Sequence, residues 1–387
     1  MKSRCIYFDY QSSTPLDKEV YEFMKPFWFE LHGNPHSNEH AIGWSADKVI
    51  NSSKQNIANM IGCDADEIFF TSGATEANNL AIKGYIKGNQ TSPKRKHILL
   101  TEIDHKCVIE AVKSTCSSSE YSYDFISVDK EGYINLEELE EKASSDVLLF
   151  SYILVNNEIG TIQDSLSIDK ICRKNGISIH TDAAQAPYSL DISKISSNVD
   201  LLSLSAHKMY GPMGIGALFI SREIQKDIYP LIHGGGQQDN VRSGTLPLPL
   251  CAGMGKASEI CSNKIDSIQI NNIKNLRDKF VKKVLDLDEN FFLNGPPLNN
   301  RHIGNANIRF ANYSAQDLIG LMQPKLAVSS GSACSSGITE PSHVLRAIGL
   351  NKDDSEASIR FSIGKNSVLN EIETAVTIVK ETIAKYE

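Results

Sequence analysis

Between about residues 65 and 220 the chain alternates short β-branched or aliphatic runs with longer stretches of helical period. That alternation restricts the fold more than any other feature, because it is the pattern of a parallel sheet joined by crossover helices, an α/β protein. The expected strands are Glu67–Phe70, His97–Leu100, Tyr123–Val128, Val147–Val155, Ile177–His180, Leu201–Leu204 and Gly216–Ile220. Several are apolar at nearly every position, as strands covered on both faces are. Each is followed by polar or glycine-containing residues, and open α/β sheets bind ligands at the carboxyl ends of their strands. Function is therefore expected just after the strands.

At about 150 residues per domain, 387 residues correspond to two or three domains. A charged, helix-period segment from Ser258 to about Leu287, followed by the turn Asn294-Gly295-Pro296-Pro297, places a boundary near 260. Thirty-nine Lys and Arg against 47 Asp and Glu leave a charge of −8, which argues against a nucleic-acid or anionic-membrane binder. The one basic cluster, Lys94 to His97, reads as a solvated loop beside Pro93. The longest apolar stretch, Val147–Val155, is interrupted by Ser151 and falls far short of the roughly 20 residues that span a bilayer. Asp9 interrupts the N-terminus before a secretion signal could form, so a cytoplasmic protein is expected. Eight cysteines without a C-x-x-C pair read as free thiols, most of them core residues.

Three segments at expected strand ends carry chemistry. Thr71-Ser72-Gly73-Ala74-Thr75-Glu76-Ala77-Asn78-Asn79 leads from a strand into a helix. It offers backbone N–H groups and the Thr75 hydroxyl to an anion, although the same residues also serve as plain caps. It lacks the spacings of the triphosphate and dinucleotide loops. In His180-Thr181-Asp182-Ala183-Ala184-Gln185 the Asp182 carboxylate is suited either to capping the next helix or to holding a proton on a heteroaromatic nitrogen, as the pyridinium of pyridoxal phosphate requires, where Gln185 can reach the same ring. In Ser203 to Pro212, Lys208 sits beside hydroxyls after an apolar strand, a setting suited to Schiff-base chemistry, although a lysine taken singly more often only solvates a surface.

Taken in this order, the segments resemble the cysteine desulfurases of the class V aminotransferase group, within the pyridoxal 5'-phosphate (PLP) dependent fold type I enzymes. The resemblance runs from Phe8-Asp9-Tyr10 and Thr14-Pro15 through Gly33-Asn34-Pro35, Thr71–Asn79, Val155–Gly160, Asp182–Gln185, His207-Lys208, His233–Gly236, Arg242–Thr245 and Ser329–Cys334 to Ile359–Ser362. It implies a large domain (16–259) with a mostly parallel seven-stranded sheet, and a smaller α+β domain (1–15 and 260–387). It implies Lys208 as the internal-aldimine lysine, Asp182 and Gln185 on the ring nitrogen and phenolic oxygen, and His105 stacked on the ring and moving protons. Phosphate contacts would come from Ala74, Thr75, Ser205 and His207, with Thr245 supplied by the second subunit of a homodimer. Asn157 would lie beside the ring and the substrate carboxylate, which Arg360 would clamp.

Cys334, in the small-residue stretch Ser329–Gly337, narrows the resemblance to sulfur chemistry, since a Ser/Gly segment exposes a thiol that must meet substrate and then an acceptor. The other seven cysteines receive no role. The implied reaction converts L-cysteine to L-alanine through a PLP aldimine and a Cys334 persulfide, whose sulfur passes to an acceptor protein. A selenocysteine lyase and a non-catalytic scaffold of sulfur assembly are the alternatives. The chain ends soon after Lys385, without the docking tail of housekeeping members. That leaves iron–sulfur assembly, tRNA thiolation and DNA phosphorothioation open as destinations. Pro324 and Gln11-Ser12-Ser13 depart from the family pattern without a reason visible in the sequence.

Overall fold

The computed structural model describes residues 5–90, 94–264, 268–330 and 341–386. Its central sheet has seven strands: β1 (Ile68–Thr71), β2 (His97–Thr101), β3 (Ser122–Ile126), β4 (Val147–Ile153), β5 (Ser178–Asp182), β6 (Leu201–Ser205) and β7 (Gly216–Ile220). They lie in the spatial order β1-β7-β6-β5-β4-β2-β3. Strand β7 runs antiparallel to both of its neighbours, and the other pairs are parallel. The α/β class and its mostly parallel sheet are thus as the alternation implies. Every residue of β4, β6 and β7 is buried, whereas the edge strand β3 alternates exposed and covered positions. Helices cover both faces of the inner strands, and their apolar runs follow from that.

Because β2, β4, β5 and β6 are parallel, the segments leading to His105, Asn157, Asp182 and Lys208 all leave the sheet from one edge. Two residues before Asp182, and on the same face of β5, His180 is buried between the hydroxyls of Ser151 (2.8 Å) and Ser203 (3.1 Å). Burial depresses its pKa from 6.5 to about 4. The unfolded chain therefore takes up a proton near pH 6.5 that the fold refuses, and stability falls as pH drops from 6.5 towards 4. His180→Gln is expected to lose this dependence: between pH 7.5 and 5 the wild type should lose about 2 kcal/mol more than the variant in urea unfolding. Equal losses would remove His180 as the cause.

The expected basic loop is a correction. Arg95 donates to the carbonyls of Val147 (2.6 Å) and Asn175 (3.0 Å), and His97 opens β2, so these two are tied to the sheet, whereas Lys94 is exposed. The helix-period segment beyond Ser258 also differs from one long helix: a helix Leu248–Lys264 crosses position 260, and a second helix spans Ile268–Leu285. The first of these packs against the helix Ala41–Ile61, and a Cβ on Gly255 would stand 2.6 Å from the Ser53 Cα. Glycine is what permits that approach.

A smaller antiparallel sheet joins β8 (Phe291–Leu293), β9 (Asn305–Phe310) and β10 (Ser358–Ser362) in the order β10-β9-β8. The first residues belong to this region, since Ile6–Tyr7 pairs with Leu326–Ala327 and Asp9 bridges to Ser362. Phe8 and Phe361 pack on Phe280 from the helix Ile268–Leu285. Strand alternation then turns Arg360 away from that aromatic face. Among the described residues, no helix is long and apolar enough to cross a membrane.

Candidate active site

A cavity of about 490 Å³ opens at the carboxyl edge of the sheet, within the roughly 300–1,000 Å³ typical of ligand clefts. Ala74, Thr75, His105, Asn157, Asp182, Gln185, Ser205, His207, Lys208 and Arg360 all line it. Thr245 is absent from the described lining residues and is exposed. Cys334 lies outside the described residues.

Gly73, at φ +152°, precedes a helical run that begins as Ala74–Asn79, continues as a π-helical turn at Leu80–Gly84, and ends at Gly88. Such a φ belongs to glycine. A Cβ on Gly216, at the start of β7, would stand 2.6 Å from the Gly73 Cα, so two glycines let strand and loop meet here. Glu76 accepts from the Ser72 N–H (2.8 Å) and from Arg242 (2.8 Å), which closes the loop on itself. His207 faces the same end. Burial first, and Lys208 second, depress its pKa to about 4. It is a neutral hydrogen-bond partner at physiological pH.

Asp182 ends β5 with 4% exposure. Its carboxylate accepts from Asn78 Nδ2 (2.7 Å) and from the Ala184 N–H (3.0 Å). Lys208 follows β6, and its ammonium donates to the carbonyls of Gln11 (2.6 Å) and Ser12 (2.7 Å). Gln185 Nε2 donates to the same Gln11 carbonyl (2.9 Å). The N-terminal segment is laid along the lysine turn: the Thr14 N–H donates to the His207 carbonyl (2.9 Å), and the Tyr210 N–H to the Thr14 hydroxyl (2.8 Å). Gln11 and Ser12, unexplained in the sequence, therefore border the cavity and receive the lysine. Pro324 follows a cis peptide bond.

Arg360 donates to the Asn157 carbonyl (2.8 Å) and to Asp9 (2.7 Å), while its Nε is buried without a partner among the described residues. A guanidinium has five N–H donors, so capacity remains for an incoming carboxylate. Next to Asn157, the buried Glu158 accepts from the Ser342 hydroxyl (2.5 Å), and burial pushes its pKa up to about 7. The donor set fits PLP. Hydroxyls, a neutral imidazole and backbone N–H groups suit the phosphate, a buried carboxylate suits a protonated ring nitrogen, and an amine stands ready for the aldehyde.

Sequence reasoning missed Asn78, Gln11, Glu158 and above all Cys107. Cys107 lines the cavity with its sulfur 3.0 Å from His105 Nδ1. The helical context that made it look inert is real, since it lies in the helix Lys106–Cys116. Position 107, however, is the second residue after the cap, where the side chain faces the capping His105. By contrast, burial pushes the thiols of Cys63 and Cys251 up, and that of Cys172 to about 12.

Residues 6–374 match the family described as Aminotransferase class-V. The chain belongs to this family. Class-V proteins similar to it include the Rickettsia prowazekii cysteine desulfurase IscS, 42% identical over 382 residues, which cover 98% of this chain and 91% of that protein. A solved NifS-like protein superposes with a TM-score of 0.91 at 30% identity, covering 99% of this chain and 100% of its own. The structure described as SspA in complex with cysteine gives a TM-score of 0.81 at 33% identity over 94% of this chain and 100% of its own.

Proposed function

We propose that this class-V chain is a PLP-dependent cysteine desulfurase in which Lys208 carries the cofactor and Cys334 carries the sulfur. One observation supports the reading most: Asp182 and Lys208, from adjacent parallel strands, face a single cavity with an imidazole and an arginine. The reaction balances as L-cysteine plus the Cys334 thiol giving L-alanine plus a Cys334 persulfide, which then passes its outer sulfur to an acceptor protein's thiol.

When bound, PLP supplies an electron sink for the substrate Cα. Asp182, fixed by Asn78, keeps the ring nitrogen protonated, and Gln185 donates to the phenolic oxygen. Ala74, Thr75, Ser205 and His207 hold the phosphate. Lys208 would be the attachment point, and its amine would be the group that moves the Cα proton. His105 would lie against the ring and assist proton transfer, while Asn157 and Arg360 would orient the substrate carboxylate. Purified protein given L-cysteine and a reductant should form alanine and sulfide in equal amounts, and sulfide without alanine would refute the activity.

The same reading includes a homodimer. Large apolar side chains are exposed along residues 16–44, including Phe29 (78%), Trp44 (59%) and Trp28 (56%). A face of this kind is more apolar than a monomer normally leaves in water. Thr245, exposed and away from its own cavity, is then available to the phosphate of the other copy. Light scattering at micromolar concentration should give twice 42.7 kDa, and a monomeric holoenzyme would overturn both statements. The division into 16–259 and 1–15 with 260–387 is part of this proposal, supported by the pairing of the first residues with the smaller sheet. Limited proteolysis that cut freely inside 16–259 and left no stable fragment would oppose it. A cytoplasmic site fits the seven described cysteines, all unpaired. Recovery of the protein outside the cytoplasmic fraction would oppose that placement.

A further inference from the structure

We infer that Cys107 is a positioning residue that couples His105 to Asp182 and sets the tautomer of His105. The inference rests on the reading that these two residues hold the cofactor ring. The Cys107 backbone N–H donates to His105 Nδ1 at 3.2 Å, as expected of a histidine capping the helix Lys106–Cys116. A nitrogen that accepts a hydrogen bond carries no proton, so the neutral ring holds its hydrogen on Nε2. Asn78 Nδ2 donates to both Asp182 Oδ2 (2.7 Å) and Cys107 Sγ (3.2 Å). The carboxylate decides which way that amide faces, because turning it would set oxygen against oxygen. This orientation holds although it leaves Asn78 Oδ1, fully buried, without a partner among the described residues.

With Sγ accepting from Asn78, the thiol hydrogen is directed to His105 Nδ1, 3.0 Å away. The result is one directed chain, from Asn78 to both Asp182 and Cys107, and from Cys107 to His105. Two donors from residue 107 converge on Nδ1, which orients the imidazole plane and leaves Nε2 as the nitrogen bearing the ring proton. The same amide that steadies Asp182 steadies the thiol, so a change at either ring contact is felt at the other. Around this chain the titratable and charged groups include Asp182, Asp104, Glu158, Lys106, His343, Arg346, Lys208 and Arg360.

Cys107→Ala keeps the backbone N–H but removes both sulfur contacts, whereas Cys107→Ser keeps a donor and acceptor at the same place. The pH titration of the bound cofactor's visible absorption reads the ring environment directly, apart from turnover. In Cys107→Ala its midpoint should move by about half a unit to one unit, the equivalent of one hydrogen bond, with turnover down about three- to tenfold. Cys107→Ser should return most of the shift. A thiol that merely fills space would lower the unfolding temperature and leave the midpoint in place, and an unmoved midpoint in a coloured Cys107→Ala protein overturns the inference. Should that variant fail to hold the cofactor, Asn78→Ala, which cuts the chain one link away, must move the midpoint instead, and its constancy would likewise refute the coupling. Wild-type protein that binds no PLP would sink the functional reading itself, a result distinct from either of these.

Discussion

Lys208→Ala is expected to abolish covalent attachment of the cofactor and to lower alanine formation by at least about 10³-fold, because one amine serves both as the attachment point and as the proton carrier. After borohydride reduction, wild-type protein should carry the reduced coenzyme on the peptide containing Lys208, and the variant should carry none. Reduced coenzyme on any other lysine would refute the assignment. Packing loss can be separated from chemistry with Lys208→Arg. That side chain can still donate to the Gln11 and Ser12 carbonyls that receive the lysine, but it cannot form the imine. Arginine should therefore match alanine in lost activity while unfolding at the wild-type temperature.

Cys334→Ser should reduce turnover of L-cysteine to background, a loss on the order of 10³-fold or more, and leave the cofactor spectrum unchanged. The described residues support this by reach. Ser329 lines the cavity and exchanges backbone hydrogen bonds with Arg360 at 2.7 and 3.2 Å. Cys334 follows Ser329 by only five positions, and five residues span at most about 18 Å. On the far side Ser342 is anchored to the buried Glu158. A hydroxyl in place of the thiol cannot take sulfur, so the variant should also fail to acquire a persulfide when given radiolabelled L-cysteine. Wild-type rates in the variant would dismiss the persulfide step. Full activity on L-selenocysteine with none on L-cysteine would instead favour a selenocysteine lyase.

The seven strands were legible because each is short, apolar and bounded by polar or glycine residues. Their ends shifted by at most two residues, from Val128 to Ile126 in β3, from Val155 to Ile153 in β4 and from His180 to Asp182 in β5. Residues that follow strands were legible for the same reason: parallel strands bring their carboxyl ends to one edge. Thr75, Asp182 and Lys208 needed no knowledge of side-chain packing to be singled out. Cys107 and Asn78 were not legible, since their significance lies in contacts with Asp182 and His105, and Asn78 is separated from Asp182 by 104 positions. Gln11 failed for the same reason: its carbonyl meets Lys208 across 197 positions. The basic cluster misled because composition records charge but not the two carbonyls that claim Arg95.

Local rules thus settled the class of the protein and the order of its strand-end motifs, because hydrophobic period and small-residue turns are properties of neighbours along the chain. Which polar atoms touch, and hence which ring nitrogen of His105 accepts and what receives the Lys208 amine, was decided by the packing of distant segments. A hydrogen bond needs its partners within about 3 Å, a condition that no spacing along a sequence can express.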